Sequence, residues 1–306
     1  MRNITVGAAQ MGPIQRAEDR ASVVARMIAL LDQAAEAGCD LVVYPELTLT
    51  TFFPRWDVQH PGESDDWYEE SMPNPAVQPL YDRAREAGIA LSFGYAEKTP
   101  EGQYFNTCIL TDKQGGEVGK YRKVHLPGYA EFQPGAHHQH LEKKYFEPGD
   151  LGFPVWRTQG GILGMCICND RRWAETYRVM GLQGVEMVLL GYNTPDTWLD
   201  EDEDDQLFHH RLSIQAGAYS NGTWVVAVAK AGDEDDHGLI GGTAIVHPNG
   251  RIVAEAKGKG DELITHTCDL DAGHLLKNTL FNFAAHRRIE HYGLITERTG
   301  AEEPET

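Results

Sequence analysis

The sequence lacks any apolar run near the ~18 residues that cross a bilayer as a helix, and its mean hydropathy is −0.43. No membrane partner is expected. The opening stretch MRNITVGAAQMGPIQ carries one arginine and no extended apolar core, so no secretory signal is expected and a cytoplasmic location is the default. Basic residues are scarce: 27 Lys and Arg stand against 46 Asp and Glu, a net charge of −19. Phosphate backbones are held by clustered cations, so nucleic acid is not an expected partner. Cysteine is sparse and odd in number: Cys39, Cys108, Cys166, Cys168 and Cys268. Scattered thiols in a cytoplasmic chain do not make a disulfide framework, and most are expected to be buried and inert. Cys166 and Cys168 lack a second Cys/His pair at ligand spacing, so no metal site is expected.

What the chain does have is alternation. Residues 4–9 read as a buried strand, and from Ala21 the positions Val23, Val24, Met27, Leu30 and Leu31 follow helical spacing up to Gly38. Strands follow at 41–44, 89–95, 105–111 and 118–123, with a helix over 75–87. The second half gives strands at 162–167, 187–192, 223–229, 242–247 and 251–256, and helices over 173–184 and about 206–219. This pattern predicts an α/β protein with helix-covered sheets, one domain over 1–295 and a frayed acidic tail over 296–306. Six consecutive acidic residues, 200–205, are expected as a solvated loop bordering the pocket mouth, and the 233–236 run as a solvated turn.

In helix-covered sheets chemistry gathers at the carboxyl ends of strands, where Glu46, Lys123 and Cys168 stand. A helix start after Cys168 would lower its thiol pKa and offer N–H groups to an oxyanion. Each residue singly also fits a structural role: a buried strand cysteine, a water-facing glutamate, an edge-strand lysine. Together they supply a nucleophile, a base and an electrophilic stabiliser, the minimum for acyl transfer. Arg171 and Arg172 come soon after the cysteine, and a guanidinium fork binds a carboxylate through two parallel hydrogen bonds. A small-molecule substrate bearing a carboxylate is therefore expected, with Asn193 of GYNTP as a further partner for its polar end.

The stretches VYPEL (Glu46), YRKVHLPG (Lys123) and CICNDRRW (Cys168) resemble the nitrilase superfamily, in its order. PELTLTTFFPRW, HLEKKYFEPGDLGFPV and FNFAAHRRIEHYGLI extend the likeness over most of residues 3–295, toward members that hydrolyse N-carbamoyl-D-amino acids. The resemblance implies a four-layer α-β-β-α sandwich, a homo-oligomer (dimer or tetramer), no cofactor and no metal. It implies Cys168 as nucleophile, Glu46 as general base, and Lys123 with the Asn169 N–H on the oxyanion. Glu142 would be a second carboxylate beside the lysine, and His125, His140 and His209 would support the site by hydrogen bonds. The implied reaction is hydrolysis of an N-carbamoyl-D-amino acid. The alternative is an amidase or ureidopropionase-type reaction on another carboxylate-bearing amide. An exposed, low-pKa Cys168 would also be sensitive to peroxide.

Overall fold

Apolar runs buried on both faces form the centres of two sheets that pack face to face, with helices outside, in the four layers expected. The computed structural model describes residues 2–59, 63–136, 138–198 and 202–304. The first sheet contains β1 (Asn3–Gln10), β2 (Leu41–Val43), β3 (Tyr68–Glu69), β4 (Ala90–Lys98), β5 (Tyr104–Thr111) and β6 (Glu117–Arg122). The second contains β7 (Val155–Thr158), β8 (Gly161–Ile167), β9 (Met187–Tyr192), β10 (Trp224–Ala229), β13 (Ala244–Val246) and β14 (Ile252–Glu255). A separate hairpin is formed by β11 (Ala231–Glu234) and β12 (His237–Ile240), and β15 (Glu262–Asp269) returns to pair antiparallel with β1. Strands β1, β2 and β4 run parallel, as do β8, β9 and β10. Every residue of β10 is buried, as a strand between a sheet and a helix layer must be.

The helices α1 (Arg20–Glu36) and α2 (Gln78–Ala87) cover the first sheet: Met27, Leu31, Leu80 and Ala84 pack with Val42 and Leu91. After the single turn α3 (Glu142–Tyr145), α4 (Ala174–Leu182) and α5 (Glu203–Asn221) cover the second, through Tyr177, Met180, Ile214 and Ala218. Between the sheets, Val6, Ala8 and Val43 share one apolar cluster with Met165, Ile167 and Leu189.

The acidic run is not the loop expected. Asp202 caps α5, its side chain accepting from Asp205 N at 3.1 Å, and Glu203, Asp204 and Asp205 fill the first turn. Carboxylates there complement the exposed N–H groups and the helix dipole. Asp200 and Glu201 lie outside the described residues. The 233–236 run is likewise more than a solvated turn, because Glu234 is fully buried. Among the described residues no helix is long and apolar enough to cross a membrane.

Candidate active site

Four strand ends converge where the sheets meet: Glu46 lies beyond β2, Lys123 beyond β6, Cys168 beyond β8 and Asn193 beyond β9. The Pro45-Glu46-Leu47 turn passes between the sheets in contact with two glycines. A Cβ at Gly191 would lie 2.6 Å from Glu46 N, and one at Gly94 would lie 2.7 Å from Leu47 N. No other residue type leaves room for that turn. Leu47 adopts φ 44° and Cys168 φ 46°, so two left-handed bends carry the site.

Glu46, Lys123 and Glu142 have no exposed surface. Lys123 Nζ donates to Glu46 Oε1 at 2.7 Å and to Glu142 Oε1 and Oε2 at 2.8 and 2.7 Å. Asn106 Nδ2 adds a bond to Glu46 Oε1 at 2.7 Å, and Asn193 N donates to Glu46 Oε2 at 2.9 Å. His140 Nε2 lies 2.9 Å from Glu142 Oε1. Burial alone would discharge the Lys123 ammonium, but Cys168, Glu142 and Glu46 outweigh it and hold its pKa above the ordinary lysine value. Burial also opposes ionisation of Glu142, yet Lys123 and His140 keep its carboxyl below the usual glutamate range. The three groups thus form a charged cluster shielded from water.

The expectation of an exposed, acidified thiol is corrected. Cys168 is 5% exposed, and burial pushes its pKa up, with Glu46 adding to the rise and Lys123 and Arg171 opposing it. A short 3-10 turn, Cys168–Arg172, follows β8 and α4 starts only at Ala174, so no long helix begins at the sulfur. Cys168 Sγ instead points at Asn193 O, 3.4 Å away. Cys166, two residues earlier, stays inside β8 and is entirely buried in the apolar core. All five cysteines are buried and unpaired, as expected for a chain without a disulfide framework.

The two arginines separate. Arg171 is buried and braces the turn, donating to Cys168 O at 2.8 Å and Thr194 Oγ1 at 2.9 Å, and it stacks on Tyr192. It does not line the cavity at Cys168, which corrects its expected role as a substrate ligand. Arg172 is exposed and does line that cavity of about 140 Å³, together with Cys168, Asn169, Asn193, His140 and Trp198. Asn193 Nδ2 donates to Glu46 O at 3.0 Å, while its buried Oδ1 has no partner among the described residues. Asn169 Nδ2 bonds to His125 O at 3.1 Å.

The histidines divide in the same way. His140 reaches Glu142, and His125 Nδ1 lies 2.8 Å from Asp170 Oδ1. His209 is not among the described residues that line the cavity at Cys168. It is half-buried on α5 with its ring against Phe208, and its neighbour His210 is the buried one, 3.0 Å from Tyr192 OH. An adjacent pair on one helix points about 100° apart, and residue type alone does not choose between them.

Two supports lie outside the sequence expectations. Asp170 is fully buried and accepts from Tyr121 OH, Ile167 N and His125 N at 2.7, 3.0 and 3.0 Å. Glu234 accepts from Phe52 N, Arg55 and Lys230 at 2.6, 2.8 and 3.1 Å, tying the β11–β12 hairpin to the segment whose Phe52 packs on His140. Only an isolated acidic residue beside a conspicuous basic motif marks the first, and nothing in the pattern marks the second.

A carbon–nitrogen hydrolase family model matches residues 5–277. The chain belongs to the carbon–nitrogen hydrolases. This hydrolase is similar to an N-carbamoylputrescine amidase of Arabidopsis thaliana, 29% identical over 269 residues that make up 83% of each chain. It is also similar to a citrullinase of Francisella tularensis, 28% identical over 88% of this chain and 90% of the relative. A solved carbon–nitrogen hydrolase from Helicobacter pylori superposes with a TM-score of 0.82 at 25% identity, covering 97% of this chain and 99% of that one. Neither named relative is named for an N-carbamoyl-D-amino acid. The likeness therefore assigns this hydrolase its family and not that one reaction.

Proposed function

We propose that the chain hydrolyses N-carbamoyl amino acids, of D configuration as the sequence resemblance implies, to the amino acid, ammonia and carbon dioxide. One observation carries the reading. The Cys168 thiol, the Arg172 guanidinium and Asn193, whose buried Oδ1 is unpartnered, line a single small cavity. An unpaired buried acceptor favours an N–H donor such as a carbamoyl NH₂. The Arg172 guanidinium, which also donates to Gln206 Oε1 at 3.4 Å, favours a carboxylate and repels a cation.

In this reading Glu46 takes the thiol proton as Cys168 Sγ attacks the carbamoyl carbon. Lys123 Nζ and the Asn169 N–H hold the oxyanion. Glu46 returns the proton to the leaving nitrogen, and ammonia departs from a thioester on Cys168. Water deprotonated by Glu46 opens the thioester, and the released N-carboxy amino acid loses carbon dioxide. A thiol kept neutral by burial makes the base indispensable to this sequence. Asn193 links the pair, receiving the thiol on its carbonyl and donating its N–H to Glu46.

The second reading, another carboxylate-bearing amide, is supported by the likeness to a citrullinase. Ammonia release from N-carbamoyl-D-alanine, its L enantiomer, citrulline and N-carbamoylputrescine decides between them. Turnover of the D compound is expected, with none by Cys168→Ala. Arg172→Leu is expected to lose about 1.5–3 kcal/mol, roughly 10- to 150-fold in kcat/KM. Preference for the cationic N-carbamoylputrescine would overturn the carboxylate assignment. Homo-oligomerisation belongs to the same proposal. Residues 274–304 contain no buried residue, yet they expose Leu275, Leu280, Ile289, Leu294 and Ile295. A monomer mass by light scattering counts against it.

A further inference from the structure

With the carbamoyl carbon at Cys168 and the carboxylate at Arg172, the remaining non-hydrogen substituent of the substrate's α-carbon is its side chain. The cavity wall left for it contains the apolar Pro127, Pro195 and Trp198, beside His140, with Thr194 and Gln206 as its polar members. Trp198 is the largest of these. Its indole stands edge-on to the His140 ring, with centroids 5.3 Å apart and planes at 85°. The segment leading to it is fixed from one side by the β11–β12 hairpin. Pro195 bridges Leu239, and Asp196 N donates to Gly238 O at 3.0 Å. From the other side, Thr197 Oγ1 lies 2.7 Å from His138 Nε2. The indole is thus held on a braced segment rather than on a free loop.

At about 140 Å³ the cavity is well below the roughly 300–1,000 Å³ of sites that take drug-sized ligands. We propose that Trp198 is the specificity residue that meets the substrate's side chain and restricts it to about the size of alanine. The substrate part of this inference rests on the function proposed above. The wall itself does not, because it concerns what reaches Cys168.

The test compares wild type, Trp198→Ala and Trp198→Phe on N-carbamoyl-D-alanine and N-carbamoyl-D-phenylalanine. Wild type is expected to favour the alanine compound by at least about tenfold in kcat/KM, since added methylenes in a fitted pocket change discrimination by roughly 10- to 200-fold. Trp198→Ala is expected to bring that ratio down by about tenfold or more, and Trp198→Phe to fall between. A ratio left unchanged in Trp198→Ala, or a wild type that prefers phenylalanine, overturns the inference.

If no carbamoyl amino acid is turned over, the function has failed and the wall is tested separately. Cys168 is alkylated at a fixed alkaline pH by iodoacetamide and by N-benzyl-iodoacetamide, with the Cys168→Ala rate subtracted. In each case an S–C bond forms as iodide leaves. Trp198→Ala is expected to raise the bulky-to-small rate ratio about tenfold, and an unchanged ratio refutes the wall. Trp198→Phe guards against misfolding, because an aromatic ring retains the contact with His140.

Discussion

Removing the Lys123 ammonium tests the physics of the site without any substrate. In Lys123→Met, Glu46 and Glu142 remain in a place with no solvent access, and three charge-assisted bonds of 2.7–2.8 Å are lost. Breaking a buried ion pair from one side costs about 3–5 kcal/mol, because the stranded charge stays buried. For a chain of this length that is a fall of roughly 5–8 °C in Tm. The pH dependence has a definite sign. In the wild type Glu142 is held below the ordinary value of 4.5, so its contribution is present above that value and is lost as pH falls through the lowered one. In the variant Glu142 keeps only His140 against the burial that opposes its ionisation, so its carboxyl rises and the destabilisation grows as pH rises past that value. The gap between the two proteins is therefore full at pH 7 and closes as the pH drops below about 4.5. Thermal melts at several pH values read it directly. Adding Glu142→Gln to Lys123→Met removes one stranded charge, so the double variant is expected to be more stable than the sum of the two singles, by roughly 0.5–3 kcal/mol. Strict additivity, or a gap independent of pH, would falsify the charged-cluster description.

The same geometry yields three further expected outcomes. Because burial raises the Cys168 thiol above the ordinary 9.0, iodoacetamide alkylation of the substrate-free protein is expected to climb only on the alkaline side of that value; a midpoint near neutrality is incompatible with it. For the same reason peroxide is expected to inactivate slowly at neutral pH, and rapid loss of activity within minutes would restore the acidified-thiol view. Asp170→Asn aims an amide NH₂ at N–H donors that now meet a carboxylate. A loss of about 1–3 kcal/mol in stability is expected, with a lower kcat, whereas Tyr121→Phe removes a single bond and costs about 1 kcal/mol. Equal melting of Asp170→Asn and wild type counts against that bracing role.

Much of this architecture is legible in the sequence because its signals are local. The apolar runs behind Glu46 and before Cys168 name two central strands, and the helical spacing from Val23 to Leu31 names a covering helix. Strand-end position then picks out Glu46, Lys123 and Cys168, which the fold does bring together. What sequence does not carry is direction and depth. Arg171 and Arg172 are adjacent and chemically identical, yet one braces a turn and the other faces the cavity. His209 and His210 pose the same ambiguity on a helix. Glu234, inside an acidic run, reads as solvated until Arg55 and Lys230 arrive from distant segments. The acidic run at 200–205 reads as a loop although its end starts a helix, because carboxylates cap helices as readily as they solvate loops.

The deeper constraint is that a nucleophile on a buried strand must leave the strand without leaving the protein. Cys166 shows the alternative: two residues earlier, in register, its thiol lies wholly inside the apolar core. Cys168 escapes that fate by a left-handed bend, which for a non-glycine residue carries roughly 1–3 kcal/mol of strain. Arg171, bonded to Cys168 O, and Asp170, bonded to Ile167 N, hold the bend on either side. Glu46 arrives by a similar bend at Leu47, and Asn193 joins the two across the sheets. Gly191 then becomes a sensitive position although it touches no reacting atom. An alanine Cβ there would stand 2.6 Å from Glu46 N and 2.7 Å from Pro45 C, both backbone atoms that no rotamer change can relieve. Gly191→Ala is therefore expected to displace Glu46 from Asn193 and cut kcat by about 100-fold, the scale on which small misplacements of a reacting group are felt. If Gly191→Ala turns over substrate at the wild-type rate, the approach of the two sheets is not what positions the base.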